Sequence, residues 1–120
     1  MADNKQYITQ IQENGTLLIS EDVIAAIVAH ALNEVEGVVG LSAKLGADIV
    51  ELIGKKSRGV KVAIDENNVL TVDCNIIVYY GQSVVDVAKA AQVAVTNSIA
   101  AMAGVEISAV NVNVCGIARQ

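Results

Sequence analysis

The sequence predicts an α+β domain, a two-layer sandwich of a mixed, largely antiparallel sheet with two main helices on one face. Three observations predict it. Two stretches, from Val23 to Val35 and from Val84 to Met102, repeat apolar residues at helical spacing. The stretches from Val60 to Ile64, from Val69 to Tyr80 and from Val105 to Val114 alternate apolar and polar residues, as strands with one buried face do. Hydrophobic residues make up 53% of the chain against 18% charged, a balance that favours a packed core over disorder.

The elements follow in order. Thr16-Leu17-Leu18-Ile19 reads as a short strand after the turn residues Asn14-Gly15. Ser20 then caps a helix, with Glu21 and Asp22 in the first turn, where the helix dipole favours negative charge. Val23, Ile24, Ile27, Val28, Ala31, Leu32 and Val35 form its apolar stripe, and Gly37 supplies a stop. Val38 to Leu41 is a short buried strand, and Ala43 to Ile53 is weakly helical, with Gly46 as a flaw. Gly54 to Gly59 is a basic loop. Val60 to Ile64 and Val69 to Tyr80 form a hairpin across the polar turn Asp65-Glu66-Asn67-Asn68. On its second strand Leu70, Val72, Cys74, Ile76 and Val78 line one face, and Thr71, Asp73 and Asn75 line the other.

Ser83-Val84-Val85-Asp86 resembles a capping box and opens a helix that ends at Gly104. Val84, Ala88, Ala91, Val95, Ile99 and Met102 form its inner stripe. In the last strand the apolar parity changes near Ala109, which predicts a bulge. No internal repeat or boundary divides the chain, so residues 1–120 read as one domain, with residues 1–6 flexible.

Composition narrows the function. Phe, Trp and Pro are absent, so the core is built of Val, Ile, Leu and Ala. The net charge of −5 disfavours non-specific attraction to DNA, RNA or an anionic bilayer. The polar first residues are not those of a secretory signal. The longest charge-free run, Ala90 to Val105, includes Gln92, Thr96, Asn97 and Ser98, which a bilayer-facing helix avoids. A cytoplasmic protein is expected.

Residues able to carry chemistry are few. His30 is the sole histidine, and Glu34 four positions on makes an ordinary helix-surface contact with it. Cys74 sits on the apolar strand face and reads as an inert buried thiol. Cys115 falls at a strand end. Their spacing is unlike that of a zinc site, so no metal, cofactor or catalytic residue is expected. Gly54-Lys55-Lys56-Ser57 lacks the earlier glycine of a phosphate-binding loop, because Ile49 stands there. Gly37-Val38-Val39-Gly40 matches the spacing of an RNA-clamping loop but brings two valines where basic residues would help.

Two surfaces remain. Lys55, Lys56, Arg58 and Lys61 place four of the eight basic residues within seven positions, either a solvated loop that keeps an acidic protein soluble or a candidate docking patch for an acidic partner or a phospholipid surface. On the second helix, Ala90, Val93, Asn97 and Ala101 form an outer stripe that is unusually poor in charge for a surface helix, a candidate interface for self-association. The alternative from another class is an RNA-binding module using the Gly37–Gly40 loop with the Lys55–Lys61 basic loop.

The chain also resembles a known family. Gly15-Thr16-Leu17-Leu18-Ile19-Ser20, Glu36-Gly37-Val38-Val39-Gly40-Leu41 and Ser57-Arg58-Gly59-Val60-Lys61-Val62 follow one another as they do there. Ile76-Ile77-Val78-Tyr79-Tyr80-Gly81 and Val110-Asn111-Val112-Asn113-Val114-Cys115-Gly116-Ile117 continue the match. In this order and spacing the chain resembles the short, single-domain members of the bacterial alkaline-shock-protein family of envelope stress response proteins. The resemblance implies a cytoplasmic, non-enzymatic protein of mainly Gram-positive bacteria, linked to cell-envelope homeostasis. The resemblance also implies that some members are tethered to the membrane through a partner protein and self-associate there. With the charge-poor helix stripe, the expectation is a scaffold or adaptor that associates with itself or with an envelope-linked protein and meets the membrane only through a partner. It carries over no catalytic residues, and the chain lacks the long charged extensions of larger members.

Overall fold

The computed structural model describes residues 7–41, 59–67, 69–105 and 107–119. Along them run β1 (Tyr7–Gln12), β2 (Gly15–Ser20), α1 (Glu21–Asn33), β3 (Val38–Leu41), β4 (Val60–Ile64), β5 (Leu70–Tyr79), α2 (Val84–Ala103) and β6 (Ile107–Ala118). The fold is α+β, as predicted. The weakly helical segment from Ala43 to Ile53 and the basic loop up to Arg58 lie outside the described residues.

β5 is the axis of the main sheet. Along one edge it pairs in parallel with β6, from Leu70 opposite Ile107 to Tyr79 opposite Ala118. Two antiparallel strands share its other edge end to end: β4 opposite Leu70 to Cys74, and β3 opposite Ile76 to Val78. Parallel neighbours need a long crossover, and α2 supplies it between β5 and β6. The sheet is therefore mixed.

Alternation on β5 decides which face is buried. Leu70, Val72, Cys74, Ile76 and Val78 are wholly inaccessible, as the sequence predicts. They pack in one core with Ile24, Ile27, Val28 and Leu32 of α1 and with Val87, Ala91, Val95 and Ile99 of α2. Alanine along α2 lets that helix come close, and the β-branched residues stack on the pleat beneath it.

The helix ends follow their capping residues. The Val23 N–H donates to Ser20 Oγ (3.2 Å) at the start of α1, and the Asp86 N–H donates to Ser83 Oγ (3.3 Å) at the start of α2. Gly104 ends α2 in the left-handed conformation, φ +69°, with its N–H directed to the carbonyls of Ile99 and Ala100. Replacing Ser20 by Ala leaves the Val23 N–H without its acceptor. The expected result is a loss of about 1 kcal/mol, read as a lower urea midpoint with an unchanged slope.

Several boundaries differ from expectation. α1 stops at Asn33, capped by Glu34, before Gly37 is reached. Val23 faces outward, 49% exposed. On α2 the inward row is Val87, Ala91, Val95, Ile99 and Ala103, a run of four-residue steps. Val84 and Met102, placed inward by the sequence pattern, lie on the surface because the buried row advances in steps of four, which puts Val87 and Ala103 inward at the two ends instead. β6 begins at Ile107 and extends to Ala118. Its register shifts between Ile107 and Ala109, which is the predicted bulge, and again at Cys115.

The unforeseen element is β1. It pairs antiparallel with β2, Tyr7 opposite Ser20 through Gln12 opposite Gly15, as a separate two-stranded sheet. Such a ribbon is marginal alone. Buried Ile8 anchors it, Ile19 packs against the core, and Gln10 Nε2 donates to the carbonyl of Ala103 (3.1 Å).

Candidate interaction surface

Both partners of each β-ladder pair point to one face, so the hairpin has two distinct sides. Ile8, Gln10, Leu17 and Ile19 occupy the side that carries the core anchors. Tyr7, Ile11 and Leu18 occupy the opposite side, and Ile11 is 87% exposed and Leu18 55%. Sequence reasoning missed this surface. Its only signal was Tyr7-Ile8-Thr9-Gln10-Ile11, in which the apolar residues do not alternate.

The predicted stripe on α2 is where the sequence put it. Ala90, Val93, Asn97 and Ala101 are all exposed, and Val93 is 58% accessible. Met102 is 69% exposed but lies half a turn round the helix from Val93, outside the stripe. The Gln10–Ala103 hydrogen bond ties the hairpin to the C-terminal end of α2 through the side opposite Ile11 and Leu18. Lone exposed apolar residues are ordinary, but a helix face as poor in charge as this stripe is suited to protein contact.

The candidate docking patch is only partly described. Lys55, Lys56 and Arg58 fall outside the described residues, so they are not placed together with Lys61. Lys61 is exposed on β4, opposite Asp73 of β5. It belongs to the face of the sheet turned away from the helices. On that face Asn111 Nδ2 donates to Asp73 Oδ1 (2.8 Å) and Asn113 Nδ2 to Asn75 Oδ1 (3.0 Å), a polar ladder across β5 and β6.

The residues weighed for chemistry are dispersed. His30 Nε2 lies 3.9 Å from Glu34 Oε2, with both side chains more than two-thirds exposed, an i,i+4 surface pair. Cys74 is buried among Val72 and Ile76, and its thiol reaches the Asn111 carbonyl at 3.6 Å. Burial, with a smaller contribution from the charge of Asp73, pushes the thiol up to about 11. A thiolate is the reactive form, so Cys74 is inert at neutral pH. Cys115 is a free, half-buried thiol at the second bulge of β6. Among the described residues no three His, Cys, Asp or Glu side chains gather as metal ligands would.

Gly37 and Val38, the first half of the GxxG stretch, are buried, and Val38 to Leu41 form β3. Gly37 has φ +99°, and a Cβ there would stand 2.7 Å from Cγ2 of Val87. Its carbonyl accepts from the Tyr79 N–H (3.0 Å). This glycine lets the chain pass beneath α2 and join β5. No helix among the described residues is long and apolar enough to cross a membrane.

Comparison with known proteins agrees with this fold-wide pattern. The model of the alkaline shock protein 23 family, described as having a cell envelope-related function, matches residues 9–119. The chain is 29% identical over 104 residues to the uncharacterized protein YqhY of Bacillus subtilis, covering 86% of this chain and 77% of that one. It is 34% identical over 106 residues to the uncharacterized protein Spy1535 of Streptococcus pyogenes, covering 88% and 81%. With the uncharacterized protein YloU of Bacillus subtilis it shares 32% over 107 residues, covering 86% and 88%. No solved structure matches the chain at a significant level.

Proposed function

The chain belongs to the alkaline shock protein 23 family, of cell envelope-related function, and we propose that it serves that function as a non-enzymatic scaffold or adaptor. It works by associating with itself or by docking on an envelope-linked protein, and reaches the membrane only through that partner. The observation that carries this reading is the exposed, charge-poor outer stripe of α2, Ala90, Val93, Asn97 and Ala101, with Val93 as its large side chain. Small residues at Ala90 and Ala101 would let a second backbone approach closely, so dispersion contacts and expelled water could act over the whole stripe.

Ala101→Glu tests it. The position is exposed, so the fold should change in stability by no more than about 0.5 kcal/mol. A carboxylate in an apolar contact has no partner and opposes burial. Light scattering of the unmodified protein over a wide concentration range should show a mass that grows with concentration, and the variant should lose that growth while melting as before. An assembly unaffected by Ala101→Glu would remove α2 from the surface. A mass that never grows would exclude self-association, leaving docking on a partner as the mode of action.

A further inference from the structure

Asn14 and Gly15 are the one Asn-Gly pair in the sequence, and they sit at the tip of the β1–β2 hairpin. We propose that Asn14 is a self-modifying site, whose side-chain amide is displaced by its own backbone to leave aspartyl and isoaspartyl forms of the hairpin tip. The inference stands independently of the proposed function.

The reaction needs only the chain and water. The backbone nitrogen of Gly15 attacks Cγ of Asn14, forming an N–Cγ bond as the Cγ–Nδ2 bond breaks. The side-chain nitrogen leaves as ammonia, carrying the proton given up by the Gly15 amide. Water then adds to one of the two carbonyls of the resulting cyclic imide. Opening on one side restores the backbone with an aspartyl side chain. Opening on the other runs the backbone through the former side chain as isoaspartate. No atom is oxidised or reduced.

Three features favour this position. Gly15 has no side chain to shield its nitrogen, and nothing lies within 4 Å of where a Cβ would be; its N–H closes the hairpin on Gln12, so attack follows opening of that one terminal pair. Asn14 and Gly15 are both exposed, so water reaches the imide. The Asn14 amide makes no hydrogen bond to another described residue.

The other asparagines in the described elements are held or crowded. Asn111 and Asn113 donate across the sheet and are each followed by valine, and Asn75 accepts from Asn113 and is followed by isoleucine. Asn97 inside α2 is followed by Ser98 and Asn33 by Glu34, so in both a side chain shields the nitrogen that would attack.

The products differ physically from the parent. Both add a negative charge beside Glu13, and the isoaspartyl form inserts an extra backbone carbon where Gln12 pairs with Gly15. That insertion works against the register of the arm that carries Ile11 and Leu18.

The full-length protein would be incubated at neutral and at mildly alkaline pH and mapped by peptide mass spectrometry. Isoaspartyl groups would be detected separately by enzymatic methyl transfer. The mass gain of an NH-to-O exchange should appear in the peptide containing Asn14 before any other, and faster at the higher pH because the Gly15 amide must shed its proton to attack. The signal should be absent in Asn14→Ser. A free peptide of residues 10–19 serves as the reference for the unprotected rate. An Asn14 left intact in the folded protein while the free peptide converts would overturn the proposal, as would equal conversion at the other asparagines.

Discussion

Gly37→Ala is expected to lower the unfolding free energy by about 2–5 kcal/mol, seen as a large drop in urea midpoint. Two separate penalties combine. At φ +99° an L-residue with a Cβ is strained against its own backbone, and the new methyl would stand 2.7 Å from a methyl of Val87. Val87 is β-branched within α2 and has little rotamer freedom to move aside. The chain cannot simply retreat either, because the Gly37 carbonyl is bonded to the Tyr79 N–H and Val38 is buried in the core. A double-mutant cycle separates the two penalties. Adding Val87→Ala to Gly37→Ala should recover the steric part and leave the backbone part. If the two substitutions are simply additive, the close approach is not what makes this position intolerant.

The second large effect is alkaline. Cys74 is pushed up to about 11 from 9.0, chiefly by burial. An unfolded chain releases this proton at its ordinary value, while the folded chain keeps it. The folded state therefore holds more protons in that window, and stability declines as pH rises from about 9 towards about 11. At about 1.4 kcal/mol per unit the loss reaches about 3 kcal/mol at most. Alkali acts on more than one group, so the comparison needs a partner variant. Cys74→Val keeps an apolar side chain in the same place and removes only the thiol. Urea midpoints measured at neutral pH and again near pH 10 should fall further for the parent than for Cys74→Val. Parallel declines in the two proteins would show that the buried thiol does not govern alkaline stability.

Much of the fold was legible because it depends on local rules. The faces of β5 follow from strict alternation, and every residue assigned inward between Leu70 and Val78 is inaccessible. Ser20, Ser83 and Gly104 act as caps and stop because side-chain oxygens and the left-handed conformation are properties of those residue types. The bulge near Ala109 was visible as a change of parity. Of the candidate site, the α2 stripe was legible for the same reason, since exposure along a helix follows its period.

What escaped had no local signature. β1 hides only one of its side chains well, Ile8, so no alternation announced it. Val84 and Met102 were assigned inward because period alone does not say whether the inward row continues by a step of three or of four. The second shift in β6, at Cys115, is set by the neighbour's register rather than by composition.

By itself, then, the sequence determined that this protein is α+β, which face of its central strand is buried, where its helices begin, and that one helix turns a charge-poor side to solvent. Those are consequences of residue type and period within a dozen positions. Only the tertiary structure decided that β6 runs parallel to β5, that β3 and β4 share one edge, that the hairpin carries its own exposed apolar side, and that Gly37 lies beneath Val87. Those depend on which distant segments meet. The interactions that select such meetings, hydrogen-bonded register and close packing, belong to pairs of residues far apart in the chain and leave no mark on either segment alone.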